Sequence, residues 1–100
     1  MKGGAVYGDE MTAAQARVAE FVDSHIKRIG WPPTRVEIAL GLGLSSPNAA
    51  QCHIEALVRK GFVRIAKGTS RGISLTKLYN DYKFKKQIEL ENALLKGRAH

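Results

Sequence analysis

The chain has 100 residues, of which 44% are hydrophobic and 25% are charged, and this composition predicts one small globular domain rather than a disordered chain. It contains no apolar run of about 18 residues or more, so no membrane-spanning helix is expected. The first ten residues lack the apolar segment of a secretory signal, and the single Cys52 cannot form an internal disulfide, which favours a reducing cytoplasm.

The first predicted elements are a flexible segment and a helix. Residues 1–10 contain three glycines and show no periodicity. Thr12 can cap a helix, because a glutamine follows at the capping-box position three residues later. Apolar residues then recur at helical spacing until Gly30, which ends the helix before two prolines. Trp31, which precedes these prolines, is expected to pack at the helix junction.

Two shorter helices follow closely. Thr34 and Glu37 form a second capping box, and Gly43 ends the short helix that they begin. Ser46 is a good N-cap, and the proline after it suits a first helical position because its missing N–H needs no partner there. The third helix is therefore predicted over residues 47–60. A helix, a glycine-bearing turn and another helix make the helix-turn-helix plan.

A helical wheel divides the third helix into two sides. The side predicted to pack inward consists of Ala50, Ile54, Leu57 and Val58. The outward side, flanked by Ala49 and Ala56, consists of Asn48, Cys52, Glu55 and Arg59. Close to the start of the helix, the outward surface is expected to comprise Ser46, Asn48, Ala49, Gln51 and Cys52.

After the third helix the pattern changes to an alternation with a period of two. Val63 and Ile65 share one side of a first strand, Ile73 and Leu75 share one side of a second, and the stretch "KGTSRG" marks a turn between them. The expected fold is mainly α with a small β-hairpin. A three-helix winged helix-turn-helix would occupy residues 11–75 and a helical C-terminal tail residues 76–100.

The net charge of +7 is concentrated in one part of the chain. Residues 56–80 hold six basic residues and no acidic one: Arg59, Lys60, Arg64, Lys67, Arg71 and Lys77. A basic block bounded by apolar residues predicts an ordered surface for an anion. The alternative is a solvated basic face without a function.

The combination of a helix-turn-helix, a hairpin and a basic block favours DNA as that anion. A recognition helix enters the major groove with its first turns at the base edges, and short side chains let its backbone approach closely. Asn48 and Gln51 carry amides that can pair bidentately with adenine. The alternative interpretation is a helix that is merely well capped.

The stretches "PPTRVEIA", "SPNAA", "HIEALVRKG" and "SRGISL" resemble the N-terminal DNA-binding domain of the LexA repressor family. With "MTAAQARVAEFVDSHI" as the first helix, the resemblance covers about residues 11–75. It implies a winged helix-turn-helix that binds double-stranded operator DNA as a dimer. It also implies a bacterial or phage transcriptional repressor of the SOS-response type, located in the cytoplasm with the nucleoid.

The resemblance also implies residue roles. The family's base-reading positions fall on Ser46, Asn48, Ala49, Gln51 and Cys52. Arg35 falls where the family touches backbone phosphate, and Ser70 and Arg71 fall at a wing tip on or near the minor groove. The other basic residues expected at the DNA backbone are Arg59, Lys60, Arg64 and Lys67.

The sequence departs from the family pattern in three ways. The family often has glutamates where this chain has Gln51 and Cys52, so a different operator sequence is expected. Glu55 would lie near phosphates unless it pairs with Arg59, four residues on. The family's serine–lysine self-cleaving domain could not fit in residues 76–100, so no protease activity is expected.

No other chemistry is expected of this sequence. Cys52 and the adjacent His53 would point about 100° apart on a helix and cannot easily bind one metal. The sequence shows neither a glycine-rich phosphate loop nor a clear pair of catalytic carboxylates. It therefore predicts a protein that is not an enzyme and has no cofactor, metal, small-molecule ligand or membrane partner.

The tail leaves two alternatives open. Its apolar residues, which could join two copies through residues 79–95 or pack on their own domain, are Tyr79, Phe84, Ile88, Leu90, Leu94 and Leu95. The second class of function is a protein-interaction adaptor on a winged-helix scaffold, such as a modulator of a full-length repressor. Salt-dependent binding of DNA by the isolated protein would distinguish the two classes.

Overall fold

The computed structural model describes residues 10–69 and 71–98, and in these ranges the chain forms four helices and one two-stranded sheet. The segment predicted to be flexible lies outside them, apart from Glu10. The elements are α1 (Ala13–Ile29), α2 (Arg35–Leu42), α3 (Pro47–Arg59), β1 (Val63–Ile65), β2 (Ile73–Leu75) and α4 (Lys77–Arg98). This order confirms the predicted winged helix-turn-helix with a helical tail. None of these four helices is both long and apolar enough to span a bilayer.

Local capping determines where the first three helices begin and end. Both predicted capping boxes are formed, because the hydroxyls of Thr12 and Thr34 each accept a hydrogen bond from the N–H three residues on, and the N–H of each threonine donates to the side chain of that same residue. Ser46 caps α3 in the same manner, without a reciprocal partner. Gly30 and Gly43 follow α1 and α2 with φ angles of 104° and 69°, in the left-handed region that glycine enters without strain.

The hairpin has the predicted alternation. Val63 lies opposite Leu75, and Ile65 lies opposite Ile73, in an antiparallel pair. Val63 and Ile73 are buried, whereas Arg64 points away from the core and is exposed. The wing is therefore anchored through one side of its sheet and presents the other side to solvent.

One core joins the helix-turn-helix to the hairpin. Its fully buried side chains include Val18, Val22, Ile38, Ile54, Leu57, Phe62 and Ile73. Helices α1 and α2 approach closely at Gly41, where an added Cβ would collide with the ring of Phe21. The spacing of these two helices consequently depends on a position without a side chain.

Three predictions about packing were wrong in detail. Val58, expected in the core, is 39% exposed, and Ala56, expected near the outward side of α3, is buried. Trp31, expected to pack at the first helix junction, is 53% exposed. A helical wheel gives only the direction of a side chain around its own axis. Which sides of a helix are buried depends on where the neighbouring helices and the hairpin pack against it.

The first two turns of α4 pack on the rest of the domain. Tyr79 is 1% exposed within the core, and the ring of Tyr82 meets that of Phe62 edge-on, with centroids 5.3 Å apart. The Lys83 Nζ lies 2.7 Å from a carboxylate oxygen of Asp23 on α1. The start of the tail is thus an integral part of the fold.

The later turns of α4 carry exposed apolar side chains: Phe84, Ile88, Leu90, Leu94 and Leu95. Of the two alternatives for the tail, Tyr79 follows the second, because it packs on its own domain. At 100° per residue, Phe84 and Ile88 lie on the side of α4 away from Tyr79 and Tyr82. Packing on one side of the first turns buries Tyr79 and leaves the other side uncovered.

Candidate nucleic-acid interface

The predicted base-reading residues come together at the start of α3. Asn48 and Cys52 are exposed, while Ser46, Ala49 and Gln51 are half-buried beside them. The Ser46 oxygen accepts the Ala49 N–H at 3.2 Å, which leaves the hydroxyl hydrogen able to donate elsewhere. The surface therefore offers two amides, a hydroxyl, a methyl and a thiol, and none of these side chains is longer than that of glutamine.

Gln51 is hydrogen-bonded on both sides. The Arg35 Nε donates to the Gln51 Oε1 at 2.7 Å, and the Gln51 Nε2 donates to the Glu55 Oε2 at 2.9 Å. These bonds join the first residue of α2 to two successive turns of α3. The pairing of Glu55 with Arg59 considered in the sequence analysis does not occur among the described residues, because Glu55 bonds to Gln51 instead.

The wing presents two of its predicted cations to solvent. Arg64 on β1 and Lys67 in the loop after it are both exposed. Ser70, the predicted wing-tip residue, lies outside the described residues. Arg64 and Lys67 thus place positive charge beside the helix-turn-helix without a competing carboxylate among the residues that the structure describes.

Arg71, predicted to contact DNA, joins the wing to the start of α2 in the structure. Its guanidinium donates two hydrogen bonds to the Glu37 carboxylate, at 2.9 and 3.0 Å, and a third to the Pro32 carbonyl at 2.8 Å. A bidentate arginine–carboxylate pair fixes direction as well as distance. Any contact of Arg71 with DNA would have to share or replace these bonds.

This ion pair shifts the pKa values of both Glu37 and Arg71. Hydrogen bonds from Arg71, and then from the Thr34 N–H, lower the pKa of Glu37 to about 2. The same pairing raises the pKa of Arg71. His25 is buried beside this cluster, with its Nδ1 2.8 Å from the Trp31 carbonyl and its Nε2 4.0 Å from the Glu37 carboxylate. The carboxylate of Glu37 therefore stays ionised far into the acid range.

The basic block divides into two groups that the sequence could not separate. Three of its members bond within the chain: Arg71 to Glu37, Lys60 to Gln15 and the Glu10 carbonyl, and Lys77 to Asp81. The other three are exposed and have no partner among the described residues: Arg59, Arg64 and Lys67. The second group is the part of the block best placed to meet phosphates.

Sequence reasoning missed the roles of two acidic residues. Glu37 was identified only as a capping-box member, and it performs that role while also holding Arg71. Glu55 was regarded as an unfavourable charge, and it proves to be a partner of Gln51. The i, i+4 spacing could have suggested the second contact. No local signal marks the first, because Arg71 is 34 residues away.

The described residues include no group of three or more side chains suited to hold a metal ion. Cys52 is an exposed thiol, and His53 is half-buried on the next position of α3.

Comparisons with known proteins agree with this geometry. A family model described as "LexA DNA binding domain" matches residues 8–72. The chain is 54% identical over 65 residues to the LexA repressor of Glaesserella parasuis serovar 5 (strain SH0165), a match that covers 65% of this chain and 31% of the relative. The LexA repressor of Burkholderia cenocepacia (strain HI2424) is 53% identical over 66 residues, which cover 66% of this chain and 31% of that protein.

The match therefore spans about a third of the length of these curated relatives. It covers the three helices of the helix-turn-helix and β1, and it ends just before β2. This chain belongs to the LexA DNA-binding domain family.

Proposed function

We propose that this protein binds double-stranded DNA at specific sequences and represses transcription by occupying its operator. The observation that carries the proposal is the exposed surface of short and polar side chains at the start of α3, presented by a helix-turn-helix. The family match and the names of the relatives, which are repressors, support it. This function implies a cytoplasmic protein associated with the nucleoid.

In this proposal α3 lies in the major groove and the wing lies on the backbone or in the minor groove. Asn48 is the strongest candidate for base reading, because its amide is exposed. Arg59, Arg64 and Lys67 are the candidates for phosphate contacts, because they are exposed and unpaired among the described residues. Lys60 and Arg71 could contact phosphates only by giving up some of their hydrogen bonds within the chain.

Selection of bound sites from random DNA, followed by anisotropy titrations, tests the proposal. Asn48→Ala should cost about 1–3 kcal/mol at one base position and leave non-specific binding nearly intact. Asn80→Ala is a matched control, since Asn80 is an exposed asparagine on α4. An unenriched selection with the unaltered protein would reject sequence-specific binding. An identical motif for Asn48→Ala would reject the assigned reading surface.

We further propose that two copies associate through the exposed stripe of α4 formed by Phe84, Ile88 and Leu95. One recognition helix reads only a few base pairs, and a two-fold operator needs two helices. The stripe is apolar and faces away from the side of α4 that packs on the core.

Sedimentation velocity over a range of protein concentrations tests this association. Phe84→Glu should shift the protein to the monomer and weaken binding to a two-fold operator more than to a half-site. Ala93→Glu adds the same charge at an exposed position on the opposite side of the same helix and should leave the dimer intact. Monomeric behaviour of the unaltered protein, both free at high concentration and on DNA, would refute the proposed dimer.

The adaptor function keeps one observation in its favour. A groove of about 330 Å³ between α1 and α4 is lined by Met11, Tyr82 and Leu90, among others, and by no residue of α3 or the wing. A protein segment bound there would not need the candidate interface. An adaptor of this kind predicts no salt-dependent affinity for DNA, whereas phosphate contacts predict affinity that falls steeply with salt.

A further inference from the structure

We infer that Glu55 and Arg35 are positioning residues for base reading, because together they hold the Gln51 amide in one orientation and make adenine the base expected at its position. This inference rests on the proposed function and names a determinant of its specificity. It assigns to Glu55 a role opposite to the one suggested by its charge, which by itself would only repel phosphates.

The orientation of the Gln51 amide follows from the chemistry of its two neighbours. An arginine Nε can only donate, so the amide oxygen must face Arg35, at 2.7 Å. A carboxylate can only accept, so the amide nitrogen must face Glu55, at 2.9 Å. Reversing the amide would place a donor against a donor and an acceptor against an acceptor. One orientation is therefore strongly favoured.

The positions of these residues make the arrangement possible. Gln51 and Glu55 are four residues apart on α3, and side chains at that spacing are neighbours on one face of a helix. Arg35 comes from the first position of α2, so its bond also ties the recognition helix to the preceding helix. Gln51 is half-buried between them, whereas Glu55 is exposed. Glu55 could thus have pointed to solvent, and the structure instead places it against the amide.

The two bonds leave Gln51 equipped to read a base. A glutamine amide has two acceptor lone pairs and two N–H donors, and one of each is engaged here. One acceptor and one donor remain, which is the combination that adenine requires at its N6 and N7 positions. A glutamine that is already ordered also loses less side-chain freedom on binding. Orientation by Glu55 should therefore sharpen discrimination at this base pair.

Two substitutions at one position separate positioning from charge. Glu55→Gln keeps an oxygen that can accept the Gln51 N–H and removes the negative charge. Glu55→Leu removes both the acceptor and the charge. Both variants should bind all DNA sequences more tightly, since each removes a negative charge from the DNA-facing helix. Only Glu55→Leu should lose discrimination at the base that Gln51 reads.

The experiment uses the full chain and the operator selected by the unaltered protein. The base pair read by Gln51 is first identified as the position where Gln51→Ala loses its preference, by about 5- to 150-fold. Anisotropy titrations then compare adenine with the other bases at that position for each Glu55 variant, at fixed salt. We expect the preference to be retained in Glu55→Gln, to fall at least about fivefold in Glu55→Leu, and to show no further loss when Glu55→Leu is added to Gln51→Ala.

Equal preference at that position in Glu55→Gln and Glu55→Leu would overturn the inference, because charge alone would then account for both. A position that prefers a base other than adenine would overturn it as well. Failure of the unaltered protein to select any site would instead count against the proposed function, so the two failures are distinguishable.

Discussion

Tyr79 tests whether the start of α4 is part of the domain. Tyr79→Ala would remove a ring that is only 1% exposed and packs in the core cluster. Loss of a large buried aromatic side chain typically costs about 3–5 kcal/mol. The Tyr79 hydroxyl adds nothing to this cost, because it is buried without a hydrogen-bond partner among the described residues. We therefore expect the free energy of unfolding to fall by about 3–5 kcal/mol. This is a large share of the unfolding free energy of a typical domain, which is roughly 5–15 kcal/mol.

Equilibrium unfolding in urea, followed by circular dichroism, measures this loss. Phe84→Ala, measured at a protein concentration low enough for the chain to be monomeric, is the matched control. Phe84 is an aromatic residue on the same helix that is 68% exposed in one copy, and its loss should change the unfolding free energy by no more than about 0.5 kcal/mol. Tyr79→Phe removes only the hydroxyl and should be neutral or stabilising by up to about 1 kcal/mol, since an unsatisfied buried hydroxyl is unfavourable.

The dependence of unfolding free energy on urea should stay the same in all three variants, which shows that each unfolds from a comparable native state. A loss below about 1 kcal/mol for Tyr79→Ala, or equal losses for Tyr79→Ala and Phe84→Ala, would refute the packing of α4 on the domain. A strong loss for Tyr79→Phe would refute the absence of a partner for the hydroxyl.

Three further predictions follow from the geometry. Lys67→Ala should make the salt dependence of DNA binding shallower by roughly one unit, and Lys85→Ala on α4 should not; equal slopes for the two would remove Lys67 from the interface. Folding lowers the pKa of Glu37 from 4.5 to about 2, so its contribution to stability is present above pH 4.5 and is lost as the pH falls toward 2. The unfolding free energy measured across that range should depend less on pH in Glu37→Gln, which keeps the capping box. Gly41→Ala should destabilise by about 1–3 kcal/mol in thermal or urea unfolding despite the better helix propensity of alanine, and the loss should shrink in a Phe21→Leu background.

The extent to which the site could be predicted depends on how far apart its partners lie in the chain. The exposed surface of Asn48 and Cys52 follows from the helical period alone, and it is where the sequence placed it. The bond from Arg35 to Gln51 spans 16 residues and the bond from Arg71 to Glu37 spans 34. The sequence shows which charges exist, but it does not show which of them meet, so it counted Arg71 among the cations available to DNA.

The sequence by itself determined the order, type and approximate bounds of the elements. Capping boxes, a serine–proline start and glycines with positive φ act within a few residues, so their effect can be predicted before the chain is folded. Only the tertiary structure decided what each face of an element contacts. Tyr79 and Phe84 lie five positions apart in one helix and are both aromatic, yet one is buried in the core and the other is exposed. The difference arises because burial depends on the surface that the other helices and the hairpin present to α4, and that surface exists only once they have packed together.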